Sequence, residues 1–220
     1  KLVSWMGAIQ AQDYAMARWA VGIRLKSATA RSVGEAFSRG EILRTHVMRP
    51  TWHLVAAEDI RWMLKLSARR IRSANESLAK GRQLELTEQL HYRCDRLLEK
   101  MLEGNRNLTK QQIGEELNRQ GIAADTPRLT RLLMRAETEA VVCSGPFSGG
   151  RQTYALLEER VPPVPELHPD EALAKLATAY FRSPSPASLQ DFVWWSGLSV
   201  TEARHSVGLI GRSLTAERFG

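Results

Sequence analysis

Cysteine is scarce in this chain, and long apolar runs are missing from it. The two cysteines, Cys94 and Cys143, are too few for a disulfide framework and fit a reducing cytoplasm. No run of about 18 apolar residues occurs, so the sequence predicts no transmembrane helix. The chain begins at Lys1 rather than methionine, inside an apolar-periodic segment, so we expect it to lack its native N-terminus.

Metal-ligand spacing is missing as well. His91 and Cys94 are three residues apart, which places them on one face of a helix, but no second pair has the spacing of a metal site. We interpret Cys94 as a buried thiol beside a surface histidine. The sequence therefore predicts no metal and no cofactor.

Acidic residues are outnumbered by basic ones. The chain has 31 lysines and arginines against 24 aspartates and glutamates, which gives a formal net charge of +7. Most of the basic residues are arginine, whose guanidinium group binds phosphate through two hydrogen bonds. The charge favours a polyanionic partner, with nucleic acid as the first candidate and an anionic membrane surface as the second.

A pattern of three helices followed by a β-hairpin occurs twice, and a third copy begins near the C-terminus. It predicts a mainly α fold with small β-hairpins (α+β), built from tandem winged-helix units. We predict units at 1–84, 85–160 and 161–220, the first including the long helix after its hairpin and the third incomplete. The segment 161–165, Val-Pro-Pro-Val-Pro, is a semi-rigid linker at the last boundary.

The first unit is predicted from apolar spacing. Its first two helices have core positions at Leu2, Val3, Met6 and Ile9, and at Tyr14, Ala17, Trp19, Val21 and Ile23. A third helix is predicted between residues 29 and 40, and strands at 42–47 and 52–55. The helix at about 58–80 carries a basic stripe, either a ligand contact or a solvated face, formed by Arg61, Lys65, Arg69 and Arg72.

The second unit has the clearest helix signals. Thr109 and Gln112 form a capping box, and Thr126-Pro127 is predicted to begin the next helix. That helix carries Arg128, Arg131 and Arg135 on one side, and in a winged helix it enters the major groove. The three arginines are predicted to bind DNA, the alternative being a solvated surface. A glycine-rich loop at 145–150 would form the wing.

The third segment contains two adjacent tryptophans, Trp194 and Trp195. We interpret both as packing residues rather than as a platform on which bases stack. Helices are predicted to begin at His168-Pro169 and at Ser188, and Ser199 with Glu202 forms a capping box for another.

The motif Gln10-Ala11-Gln12 lies between two apolar-periodic segments. Each glutamine amide offers a donor and an acceptor at neutral pH, so the pair can hold a water molecule. The alternative is that both residues cap helices or face solvent. The neighbouring Asp13 is interpreted as a helix cap, with the role of a general base as its alternative.

Four segments together resemble the AlkZ-like winged-helix DNA glycosylases: residues 2–12, 45–55, 126–157 and 191–198. The resemblance implies tandem winged helices that recognise alkylated bases or interstrand crosslinks in double-stranded DNA. It implies that Gln10 and Gln12 are the catalytic pair, because they match the family's signature of two glutamines around an apolar residue. It also implies a cytoplasmic, nucleoid-associated bacterial protein that does not act on membranes.

The same resemblance places the first hairpin near DNA. His46, Arg49, Trp52 and His53 cluster towards its tip, and we predict DNA contacts for the last three, with an aromatic wedge as one mode. The alternative is that Trp52 packs on a neighbouring helix while the histidines stay exposed.

The leading hypothesis is a monofunctional DNA glycosylase, a hydrolase that cleaves the N-glycosidic bond of alkylated purines during DNA repair. N7-alkylguanine is the expected lesion, alone or in a crosslink. The first alternative is a non-catalytic DNA-binding protein such as a transcriptional regulator. A second is a protein-interaction module, because a winged-helix fold does not fix a function.

Overall fold

The computed structural model describes residues 1–217. The first winged helix is followed by a long helix, α4, at Ala57–Gly81. In chain order its elements are α1 (Leu2–Met6), β1 (Ile9–Gln10), α2 (Tyr14–Gly22), α3 (Ala30–Ser38), β2 (Ile42–His46) and β3 (Trp52–Ala56). Ile9, predicted in the first helix, lies on β1 instead.

The second winged helix repeats the same order. Its elements are α5 (Glu88–Leu102), β4 (Leu108–Thr109), α6 (Lys110–Arg119), α7 (Thr126–Thr138), β5 (Val142–Ser144) and β6 (Thr153–Leu156). Each unit forms an antiparallel three-stranded sheet, in the order β1-β3-β2 and β4-β6-β5. The structure therefore confirms the predicted fold class, a mainly helical α+β fold with small sheets.

The remaining elements are helical: α8 (Leu157–Arg160), α9 (Pro169–Arg182), α10 (Leu189–Ser196), α11 (Val200–Leu209) and a 3₁₀ turn at Gly211–Ser213. No helix within 1–217 has the length and apolar character needed to cross a membrane.

Side chains cap these helices largely as predicted. Capping boxes open α6 at Thr109 and α11 at Ser199. The prediction for Thr126 was wrong, because α7 is capped by Asp125, whose Oδ1 accepts from the backbone N–H of Arg128 at 3.0 Å. Asp125 is the better cap because its negative carboxylate also interacts favourably with the positive end of the helix dipole.

The two winged helices are tightly joined. His46 on β2 and Glu137 on α7 form a buried pair with Nδ1 and Oε2 2.5 Å apart. The glycine-rich wing of the second unit does not project freely, because Phe147 packs against Tyr14 and Phe37 of the first, with ring centroids 4.6 and 5.2 Å away. The helix α4 packs against both α7 and α9 and so connects the three parts of the chain.

Candidate active site

The glutamine motif begins on β1, the edge strand of the first sheet, and continues beyond its end. Gln10 pairs with His53 in register, and the N–H of Ala11 donates to the carbonyl of Trp52 at 2.7 Å. Ala11 is completely buried, whereas Gln10 and Gln12 are exposed. Since side chains alternate along an extended chain, this pattern places both amides on the solvent side of a backbone fixed to β3.

Arg44 binds the backbone of the motif. Its Nε donates to the carbonyl of Ala11 at 2.9 Å, and its Nη2 donates to the carbonyl of Gln12 at 3.0 Å. The guanidinium lies 4.4 Å from the ring centroid of Trp52 and also donates to Gln152 of the second unit. Arg44 was not among the predicted site residues, although an arginine within a predicted strand was the available signal.

The side chains of Gln12 and Asp13 form hydrogen bonds of different quality. Gln12 Oε1 lies 3.4 Å from the backbone nitrogen of Trp52, a long hydrogen bond. Asp13 caps α2, with Oδ1 accepting from the N–H of Met16 at 3.0 Å. The interpretation of Asp13 as a helix cap is confirmed.

A cleft of about 730 Å³ lies beside Gln10. It separates the first winged helix from α9 and α10, and Gln12 is not part of its wall. The lining residues are Met6, Ala8, Gln10, Arg49, Tyr180, Ser183, Pro184, Pro186, Ala187, Asp191, Trp194 and Trp195.

The two tryptophans of α10 behave differently in this cleft. Trp195 packs on Tyr180 with ring centroids 5.0 Å apart, as predicted for a packing residue. Trp194 is 78% exposed, so its interpretation as a packing residue was wrong. On α10 the adjacent positions face different sides, and only one of them faces the core.

The hairpin residues are placed partly against expectation. Both histidines are buried, so the alternative in which they stay exposed was wrong, and the buried His53 has no surface with which to contact DNA. Burial lowers the pKa of His53 to about 4, and its Nδ1 bonds to the carbonyl of Thr51 at 2.9 Å. Trp52 is half-buried against the ring of His46, 4.1 Å away, while Arg49 is half-buried on the cleft.

The arginines of α7 are largely occupied within the protein. Arg135 is 6% exposed, and its guanidinium contacts Glu88 and Glu139, each at 2.8 Å. Arg128 donates to the carbonyl of Glu85 at 3.0 Å, and Arg131 is half-buried. Arg135 is therefore a structural residue rather than a DNA contact, whereas DNA binding by Arg128 and Arg131 stays a prediction.

The basic stripe on α4 is also engaged internally. Arg61 contacts Glu158 at 2.6 Å, Arg72 contacts Glu139 at 2.5 Å, and Lys65 pairs with Glu166. Three of the four cations thus connect α4 to later parts of the chain, whereas Arg69 is exposed.

The His91 and Cys94 pair is buried as a whole. Cys94 is 1% exposed, and burial raises its pKa to about 12, which confirms the buried thiol. His91 is 5% exposed and was wrongly expected at the surface; burial lowers its pKa.

Comparison with known proteins identifies the family. A sequence model described as DNA glycosylase AlkZ-like matches residues 3–216. The chain belongs to the AlkZ-like DNA glycosylase family. No sequence among the curated proteins matches it significantly.

A solved structure shares the fold. The chain is similar to the Streptomyces sahachiroi DNA glycosylase AlkZ, with a TM-score of 0.68 and 22% identity. The match covers 97% of this chain and 60% of the other, so the chain spans less than two thirds of that structure. At this identity the likeness supports the fold rather than the chemistry of individual residues.

Proposed function

We propose that this AlkZ-like protein is a DNA glycosylase that hydrolyses the N-glycosidic bond of N7-alkylated purines in double-stranded DNA. The observation that carries the proposal is the exposed pair Gln10 and Gln12 around the buried Ala11. Such an enzyme would act on chromosomal DNA in the bacterial nucleoid, and interstrand crosslinks joined through N7 are within the same chemistry.

The proposed reaction requires little acid catalysis. Alkylation at N7 makes the purine cationic, so the base leaves with the electron pair of the C1′–N9 bond and becomes neutral. A water oxygen bonds to C1′, and the water proton passes to solvent. The protein must place that water, and amide oxygens carried by a fixed backbone can do so by accepting its hydrogen bonds.

Arg44 has a positioning role in this proposal. It holds the carbonyl groups of Ala11 and Gln12, so the backbone from which the two amide side chains extend is fixed. A displacement of about 1 Å in such a site can lower a rate about 100-fold. Fixed backbone is therefore as important to the proposal as the amides themselves.

The test is release of N7-methylguanine from duplex DNA by the parent protein and by its Gln10→Ala and Gln12→Ala variants. We expect each variant to lower the single-turnover rate about 100-fold with little change in DNA affinity. Gln89→Ala is the matched control, because this exposed glutamine lies on α5, outside the motif and the cleft. Full release by both motif variants would contradict the residue assignment.

DNA affinity separates the proposal from its alternatives. Phosphate contacts release counterions, so the binding constant should fall steeply as salt rises. Tight, sequence-specific binding of undamaged duplex without base release would instead favour a regulator. Affinity that is insensitive to salt would count against both DNA-binding hypotheses.

A further inference from the structure

An exposed indole stands at the mouth of the cleft next to the glutamine motif. Trp194 is 78% exposed, although its neighbour Trp195 packs against Tyr180 and Phe192. An indole has a large apolar face that is ordinarily covered, and its exposure beside a concave surface is typical of a binding site.

The helix that carries Trp194 is fixed at both ends. At its start, Ser188 and Asp191 form a capping box. At its end, Gly197 has φ +70°, and a Cβ atom built there would lie 2.7 Å from the carbonyl oxygen of Met48. This close approach needs glycine and presses α10 against the first hairpin. The indole is therefore presented from a rigid backbone.

A cation faces the same cleft. Arg49 lines it, and its buried Nε has no hydrogen-bond partner among residues 1–217. No carboxylate in the described part of the chain forms a salt bridge with this arginine, in contrast to Arg61 and Arg135. Its charge is thus available to an anionic ligand.

The three groups correspond to the parts of one nucleotide. An indole can stack on a base, a guanidinium can bind the phosphate, and the amide of Gln10 lies in the same wall. The cleft volume, about 730 Å³, falls within the range of small-molecule sites. A base inside a paired duplex cannot present its face to an indole, so the arrangement fits a base displaced from the stack.

We propose that Trp194 stacks on a nucleobase displaced from the duplex while Arg49 binds the adjacent phosphate. The proposal rests on the proposed function in taking duplex DNA as the ligand, and it adds a residue that selects for an unstacked nucleotide. Trp194 acts in binding and takes no part in the bond cleavage.

The test compares two undamaged duplexes of the same sequence, one fully paired and one with a single unpaired purine. Dissociation constants are measured by fluorescence anisotropy. The parent should prefer the duplex with the unpaired purine, and Trp194→Ala should weaken that complex by about tenfold while changing the paired one little. Trp194→Phe should retain most of the preference, because it keeps an aromatic face.

The controls separate stacking from general contact. Tyr92→Ala removes an aromatic ring that is 69% exposed on α5, away from the cleft, and should leave both affinities unchanged. Arg49→Gln should weaken both complexes and reduce the salt slope by about one.

The outcomes are distinct from those of the base-release assay. No preference in the parent, or an equal loss on both duplexes in Trp194→Ala, would overturn the stacking proposal. A selective loss without any base release would support stacking while removing the glycosylase proposal. Base release with no preference for the unpaired purine would support the glycosylase proposal and overturn the stacking proposal.

Discussion

The two winged helices share one sheet register but differ in what they place on it. In the first sheet, Gln10 and Thr45 both pair with the central residue His53. In the second, the position of Gln10 is taken by Thr109, which pairs with Thr153. The hydroxyl of Thr109 caps α6, and that of Thr153 donates to the carbonyl of Pro146. The repeated frame thus exposes amide side chains in one copy and uses its hydroxyls internally in the other.

A difference in spacing accounts for this contrast. In the second unit the strand runs directly into the helix, since Thr109 is both the last strand residue and the N-cap. In the first unit Ala11 and Gln12 lie between the strand and the N-cap Asp13. The extra extended residues are what present the second glutamine to solvent.

The largest expected effect concerns the contact that joins the two copies. Glu137→Ala leaves His46 buried without its partner, and we expect the free energy of unfolding to fall by about 3–5 kcal/mol. Because the pair spans both units, urea denaturation followed by tryptophan fluorescence and circular dichroism should show one shared transition at a lower midpoint.

A conservative variant of Glu137 is the control for that result. Glu137→Gln keeps an acceptor of nearly the same shape and should be less destabilising than Glu137→Ala. Two separated transitions in the parent protein would show that the copies fold independently, which would contradict a structural role for the pair across the units.

The sequence predicted elements that are encoded locally. The capping boxes at Thr109 and Ser199 and the span of α4 follow from a few neighbouring residues, and the structure confirms them. The strands β1 and β4 were missed because each has two residues, too few to show a periodicity of two. Their partners lie more than 40 residues away along the chain.

The site was less predictable because the exposure of its residues depends on tertiary packing. Arg135 is buried through Glu88 and Glu139, and His53 is buried although it lies near a hairpin tip. Trp194 is exposed although it follows an apolar pattern. None of these outcomes is encoded in the neighbouring residues. The roles of Gln10 and Gln12 remain a prediction.

The next prediction compares the stability lost on replacing two residues at matching sheet positions, Arg44 and Ser144. Each pairs with the central strand of its own sheet, and the N–H of Arg44 donates to Ser144 Oγ at 2.8 Å. Arg44→Ala removes charge-assisted hydrogen bonds to the motif and should destabilise the protein by about 3 kcal/mol. Ser144→Ala removes one neutral acceptor and should cost about 1 kcal/mol.

The rate of base release provides a second comparison of Arg44 and Ser144. Arg44→Ala should slow N7-methylguanine release in the protein that remains folded, because the carbonyl groups of Ala11 and Gln12 lose their donor. Ser144→Ala should leave the rate close to that of the parent. Equal rates in the two variants would show that the motif does not depend on Arg44.

The last prediction compares the central residues of the two sheets, His53 and Thr153. The folded-state pKa of His53 is lowered to about 4 from 6.5, chiefly by burial, with Arg49 and His46 adding to the effect. Between these values the unfolded chain binds a proton that the folded chain does not, so stability falls as pH decreases from 6.5 towards 4. At pH 5 this contribution amounts to about 2 kcal/mol.

Thr153 does not titrate, so its variant provides the reference for His53. We expect the stability gap between the parent and His53→Gln, measured by urea denaturation, to shrink by about 2 kcal/mol from pH 7.5 to pH 5. The gap between the parent and Thr153→Ser should stay constant over the same range. A gap for His53→Gln that does not change with pH would mean that this imidazole can accept a proton in the folded protein. In that case the residue beside Gln10 would carry a charge near the motif at mildly acid pH, and the contrast between the two sheets would be electrostatic as well as geometric.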